Sequence, residues 1–379
     1  VTGRESLTAR GRLHLLGPEF VGKRGANFKD IFASCLLCGA CEEACSRDIP
    51  IRSIVVGARS SFPAVYGRHG MRKAAVRLAL SRPGLLEGLA AAGVQLKNLA
   101  LLPQDSGLRL KLGILEEGKT AAVMDVPSSP EPGGVKSAPI LYFTGCLARH
   151  LQPSVAEATR RLCRDLSAGE ARAPAAQACC GLAAWSSGSL AQARRLARKN
   201  IEAFAGHDGP ILTSCASCSS FLQTYPDLFG EDPEWKQRAA DFASRVREFG
   251  SFFLPRAGDM TFRGGTQLRL FYHEPCHLRA DRVNREACRQ LLDKISAATL
   301  LDSPGGSHCC GQGGLFHIGY PGLAEKVFSR AFAALPDSGS GNVVTTCSGC
   351  LMQWQAGLAR HGSPYTARHL ALLLADCLG

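Results

Sequence analysis

Short apolar runs alternate with longer amphipathic stretches along this chain, and the alternation is written twice. The runs lie in "PILYFTGC" (139–146), "GPILTSCASC" (209–218), "LRLFYHEPC" (268–276) and "GNVVTTCSGC" (341–350). Each is brief, rich in strand-forming residues and bounded by turn residues, which predicts a strand. Residues 154–166, 188–205, 284–297 and 321–335 lie between them and read as helices. Strand–helix alternation predicts a small parallel sheet in each half, and ligands collect at the C-terminal ends of such strands. Upstream, residues 68–112 read as helices that connect or dock. Residues 113–138, rich in Gly, Pro, Ser and Glu, read as a mobile linker, and "TARHLALLLADCLG" as a closing helix. No apolar run approaches the ~18 residues of a membrane span.

Cysteine changes the picture most, for the chain has 17. Fourteen of them fall into three groups. One is "CLLCGACEEAC", with Cys35, Cys38, Cys41 and Cys45 spaced C-x2-C-x2-C-x3-C, the bacterial ferredoxin run. The fourth Cys of that run is usually followed by Pro; here Ser46 follows and Pro50 comes later. The other two groups answer each other. Cys146 is followed after 32 residues by Cys179-Cys180, and after 34 more by Cys215 and Cys218. Cys276 is followed after 32 residues by Cys309-Cys310, and after 36 more by Cys347 and Cys350. Five cysteines recurring at an offset of 130 to 132 residues form an internal repeat. Each falls just after a predicted strand or in the loop between two, so each half gathers five thiols at one sheet end.

The chemistry open to five clustered thiols is limited. They are too many for one tetrahedral zinc. Adjacent cysteines suit several metal centres sharing one site, as in an iron–sulfur cluster. Redox-active dithiols and zinc are the alternatives. Cys163, Cys288 and Cys377 stand apart and read as core residues. His273, His277, His308 and His317 cluster around the second group. They could tune a metal centre or relay protons, or be structural. No histidine stands at comparable places in the first repeat, which makes the second site the better candidate for chemistry.

Composition adds limits. Hydrophobic residues make up 45% and aromatics 7%, a mix suited to helix-rich α/β packing. The formal charge is +12, yet the densest basic stretch, "ARRLARKN" (193–200), reads as a solvated helix face, so no nucleic-acid partner is expected. The opening "VTGRESLTARGR" lacks the apolar core of a signal peptide. The expectation is a soluble, cytoplasmic chain, with peripheral docking at the inner face of the membrane as the other option. No Gly-x-Gly-x-x-Gly and no phosphate loop is present, so hydride chemistry would fall to a partner.

Two copies of Cys…CCG…C-x-x-C resemble the cysteine-rich CCG domain of the catalytic subunit of heterodisulfide reductase and of the iron–sulfur subunits of glycolate oxidase and D-lactate dehydrogenase complexes. The order of a ferredoxin run followed by two such domains is similar to the glycolate oxidase subunit. "YHEPCHLR", "CCGQGGLFHIGYP" and "RESLTARGRLHLL" look like segments of that branch. The resemblance implies an α/β fold: a helical ferredoxin-like module (1–67), a helical connector and linker (68–138), and CCG domains over 139–267 and 268–379. It implies a noncubane [4Fe-4S] cluster on Cys146, Cys179, Cys180, Cys215 and Cys218, and another on Cys276, Cys309, Cys310, Cys347 and Cys350. It implies an electron-transfer subunit beside a flavoprotein that oxidises lactate or glycolate, passing electrons to a quinone or a membrane-bound carrier. The alternative is a heterodisulfide-reductase-like catalytic subunit; a zinc scaffold is the third reading. Relatives carry two ferredoxin runs, so a second is expected upstream of Val1, and Cys45 would then reach toward its cluster.

Overall fold

The structure is a computed structural model that describes residues 2–98, 140–166, 169–264, 268–301, 308–336 and 339–378. The expected linker at 113–138 and the connector beyond Asn98 lie outside those residues.

Among the described residues, eight strands form two four-stranded parallel sheets with the same plan. The first contains β1 (Ile140–Tyr142), β2 (Ala171–Arg172), β3 (Ile211–Thr213) and β4 (Val246–Glu248), ordered β2-β1-β3-β4. The second contains β5 (Leu268–Tyr272), β6 (Ala298–Leu301), β7 (Gly341–Thr345) and β8 (Tyr365–His369), ordered β6-β5-β7-β8. The chain leaves β1 toward one edge and returns to β3 on the other side, so the loops after β1 and β3 face a common crevice. β5 and β7 repeat that arrangement. β1 and β3 are buried throughout, as helices on both faces require.

The helices run over Pro153–Asp165, Leu190–Ala203, Arg282–Asp293 and Pro321–Phe332, close to the expected stretches. Two expectations are corrected. The helix expected over 284–297 ends at Asp293; Ala297 takes a left-handed φ of 58° and Ala298–Leu301 turns into β6. The closing helix begins at Leu370, because Tyr365–His369 pairs in register with Gly341–Thr345 as an edge strand. Sheet pairing overrides local propensity there.

The hydrophobic core does not stop at the boundary between repeats. The helix Phe249–Ala257 leaves β4 and packs on Arg282–Asp293 of the second repeat. The last helix, Leu370–Cys377, packs on Pro153–Asp165 of the first. One buried cluster therefore joins Val155, Leu162, Phe249 and Phe253 to Leu270, Leu291, Leu370 and Leu374. Cys163, Cys288 and Cys377 belong to this core, as expected of isolated cysteines. A Cβ on Gly250 would lie 2.6 Å from Cys288 Sγ, so the exchange needs glycine at that contact.

The N-terminal module is helical (Ala9–His14, Ala26–Ala33, Ala40–Glu43, Ile51–Ser60) around Phe28, Phe32, Leu37, Ile51, Val55 and Val56. It contacts both repeats. The Arg59 guanidinium donates to Ser186 O, and Tyr66 OH to Ser187 O at 2.8 Å. Tyr320 OH donates to Asp30 Oδ1 at 2.6 Å, and Arg279 pairs with Glu43 at 2.9 Å. Helices Gly70–Leu80 and Pro83–Asn98 follow. No helix among the described residues is long and apolar enough to cross a membrane.

Candidate metal centres

The local sequence explains how each cysteine arrives. Cys146 and Cys276 follow β1 and β5; Cys215 and Cys347 follow β3 and β7 and sit one residue before a helix. Cys218 and Cys350 fall in the first turn of those helices. Cys179-Cys180 and Cys309-Cys310 precede Gly181 and Gly311, whose φ values of 95° and 85° belong to the left-handed region. A Cβ at Gly311 would also lie 2.5 Å from Ala324 O. Only glycine makes that turn at low cost, and it swings both thiols toward the strand ends.

The ten sulfurs of the two repeats form one unbroken succession. Cys146 and Cys179 lie 3.7 Å apart, Cys309 and Cys276 4.0 Å, and Cys310 and Cys350 3.3 Å. Side-chain contacts continue from Cys179 through Cys180 and Cys218 to Cys215. Cys215 meets Cys347 of the other repeat, and Cys347 meets Cys350. Ser217 Oγ lies 3.1 Å from Cys347 Sγ and 2.9 Å from His277 Nδ1, and Ala216 N donates to Thr346 O at 2.8 Å. The two sites thus share a wall.

Crowding governs ionisation. Hydrogen bonds from Cys146, Cys276 and Cys215 hold Cys179, Cys309 and Cys347 well below the ordinary thiol range. The same bonds push Cys146 and Cys276 well above it, and Cys309 raises Cys310. Protein groups alone cannot ionise all ten at once; a polycation among them could. The donor set is all sulfur, buried and paired across loops, and suits a multi-iron group better than a single zinc.

In the N-terminal run, Cys35 and Cys38 lie on the loop after Ala26–Ala33, and Cys41 in the helix Ala40–Glu43. Burial pushes Cys38 up to about 11 and also raises Cys41, with Cys35 adding to both. Cys45 enters none of these interactions among the described residues. A cavity of about 610 Å³ opens beside Cys35, Cys38 and Cys41. Cys38 also feels the charges of Cys309 and Cys276, so this loop faces the second repeat.

The histidines divide. Buried His273 has a ring nitrogen within 4.8 Å of the Cys310 and Cys350 sulfurs, and burial pulls it down to about 4, leaving the imidazole neutral. His277 lies 3.8 Å from Cys276 Sγ. His317 instead braces its own loop through the carbonyls of Gln312 and Gly314, and half-buried His308 leads into the Cys-Cys pair. The first repeat has no histidine at the positions equivalent to these four, but it has one elsewhere near its cysteines. His150, one helical turn after Cys146, lines a small cavity with Cys146, Cys179, Arg149 and Gln177. Sequence reading also missed Asn200 and Tyr225. Asn200 accepts from Ala178 N at 2.7 Å and donates to Cys179 O at 3.1 Å, and Tyr225 OH donates to Cys180 O at 2.7 Å. An asparagine on the apolar face of a helix was the available signal.

Comparison with known proteins agrees with this geometry. The chain matches the Cysteine-rich domain (CCG) family over residues 140–223 and 270–355. It is 29% identical to the protein named probable glycolate oxidase iron-sulfur subunit of Bacillus subtilis, covering 99% of this chain and 89% of that one. It is 28% identical to lactate utilization protein A of Shouchella clausii, over 62% of this chain and 98% of the relative. Lactate utilization protein A of Geobacillus thermodenitrificans is similar at 29%, again over 62% of this chain. Both matched segments carry the same five-cysteine array and the same order of three strands, β2-β1-β3 and β6-β5-β7, so the internal repeat of this chain coincides with two matches to the cysteine-rich CCG domain family.

Proposed function

We propose that this chain is the iron–sulfur, electron-carrying subunit of a complex that oxidises a 2-hydroxy acid such as lactate or glycolate. A flavoprotein partner removes the hydride, and a quinone or another carrier takes the electrons. The observation that carries the reading is the succession of sulfurs: Cys38 faces Cys276 and Cys309, and ten contiguous thiols lead on from there to Cys146. Cys35, Cys38 and Cys41, with Cys45, hold a ferredoxin-type cubane. Cys276, Cys309, Cys310, Cys347 and Cys350 hold one CCG-type cluster, and Cys146, Cys179, Cys180, Cys215 and Cys218 the other. Bound clusters supply one-electron steps. The protein's part is to bury the sulfurs, exclude water and keep neighbouring centres close. The names of the relatives support the hydroxy-acid assignment.

The test is anaerobic purification with iron and sulfide assays and EPR. Brown protein with iron and sulfide in like amount is expected, and Cys310→Ser is expected to remove one signal and spare the others. Colourless protein holding stoichiometric zinc would sink the reading. Reduction of a heterodisulfide by the isolated chain, without a flavoprotein, would favour the reductase alternative.

A further inference from the structure

Of the 44 lysines and arginines, Arg12 and Arg59 are the two that are buried among the described residues, at 7% and 6% exposure. Neither pairs with a carboxylate there. Arg12 Nε donates to Ile31 O at 3.0 Å, and its other nitrogens reach Leu7 O and Ser34 Oγ. Arg59 donates to Phe32 O at 2.8 Å, Ala33 O at 3.2 Å, Cys35 O at 2.6 Å and Ser186 O. Nearby Arg52 is different, since Glu42 neutralises it. Carbonyls satisfy the donors of a guanidinium but do not cancel its charge, and a buried charge without a counter-ion is costly. Here there are two like charges that feel each other: burial draws Arg12 below the ordinary guanidinium range, Arg59 adds to that, and Cys35, Cys41 and Cys38 oppose it. The negative charge that balances them is at the thiolate loop, since Arg12 faces all three sulfurs and also lines the cavity beside them.

We propose that Arg12 and Arg59 are the built-in counter-charges of the group held by Cys35, Cys38 and Cys41, and that they bias this centre toward its reduced, more negative form. The inference rests on reading that loop as a cluster site. Reduction adds one electron, drawn from a reduced flavin, and one negative charge. Two fixed positive charges in a low-dielectric wall favour the product of that step and raise the midpoint potential. They act as positioned charges and bond to no reacting atom, so the readout is a potential and not a rate.

The experiment is an EPR-monitored redox titration of the whole chain, following the signal that Cys38→Ser abolishes. Arg12→Gln and Arg59→Gln are each expected to lower its midpoint, by roughly a tenfold drop in the reduced-to-oxidised ratio at fixed potential, about 59 mV for a one-electron couple. Arg12→Lys is expected to recover most of the shift. Arg10→Gln, on the same helix but 87% exposed and paired with Glu5, is the control and should leave the midpoint in place. Unchanged midpoints in both Gln variants, or an equal shift in Arg10→Gln, would overturn the proposal. Should the Gln variants lose iron, retention by Arg12→Lys supports the charge role, and equal loss overturns it. Wild-type protein without any Cys38-dependent signal would refute the cluster reading itself.

Discussion

Glu248 and His369 occupy the same place in the two repeats, the last residue of the fourth strand and the cap of the helix that follows. Both are wholly buried. Glu248 Oε2 accepts from Gly250 N at 2.6 Å; His369 Nδ1 accepts from Ala371 N at 3.0 Å while its Nε2–H donates to Ser214 O at 2.8 Å. Burial pushes the Glu248 carboxyl up to about 8 and pulls the His369 imidazole down to about 4, so both are neutral at pH 7. The consequences for stability have opposite sign. As pH rises from about 4.5 to 8 the unfolded Glu248 gives up its proton and the folded one keeps it, so stability falls across that window. As pH falls from about 6.5 to 4 the unfolded His369 takes a proton that the folded one refuses, so stability falls in that direction. Glu248→Gln is therefore expected to gain on the wild type by up to about 1.4 kcal/mol per pH unit between pH 5 and 8. Urea midpoints across that range would check it; a difference independent of pH would mean that the carboxyl is ionised in the fold.

At the scale of the element, the two Cys-Cys-Gly loops share a backbone and differ in their support. Asn200 and Tyr225 clamp the first through three hydrogen bonds to Ala178, Cys179 and Cys180. In the second, His317 braces the turn at Gln312 and Gly314, and the Phe328 ring lies against Trp354 at 5.0 Å and fills the space over Gly357, where a Cβ would meet it at 2.0 Å. Tyr225→Phe removes the donor to Cys180 O and a partner of Asn200 Nδ2. It is expected to cost about 1–3 kcal/mol in a denaturation midpoint while leaving the second site's EPR signal in place. Gly311→Ala should do the reverse, because a left-handed alanine would also collide with Ala324 O; loss of the second signal is the expected result. The cysteine spacing made the strands before Cys146, Cys215, Cys276 and Cys347 legible in the sequence, since each apolar run ends on a ligand-type residue. β2 and β4 were not legible, being two or three residues long and defined by their neighbours. β8, the mostly polar Tyr365–His369, was hidden because it runs straight into the apolar closing helix. Arg12 and Arg59 could not be picked out either, for nothing local separates a buried arginine from the many solvated ones.

Across the whole molecule, each repeat lends a helix to the other, and the C-x-x-C loops meet through Cys215, Cys347 and Ser217. Such shared cores unfold together. A single denaturation transition is expected, with circular dichroism and tryptophan fluorescence coincident; two separated transitions would contradict the continuity of the core. The exchange is also reciprocal. Give-and-take between equivalent surfaces, with Phe249–Ala257 crossing one way and Leu370–Cys377 crossing back, is how a symmetric pair of identical chains makes contact. The two repeats are arranged like the halves of such a pair, with Cys215 and Cys347 meeting where their equivalent loops face each other. With so much of the core shared, the covalent link is expected to be dispensable. Cut between Gly264 and Leu268 and expressed together, the two pieces should associate one to one, each insoluble without the other.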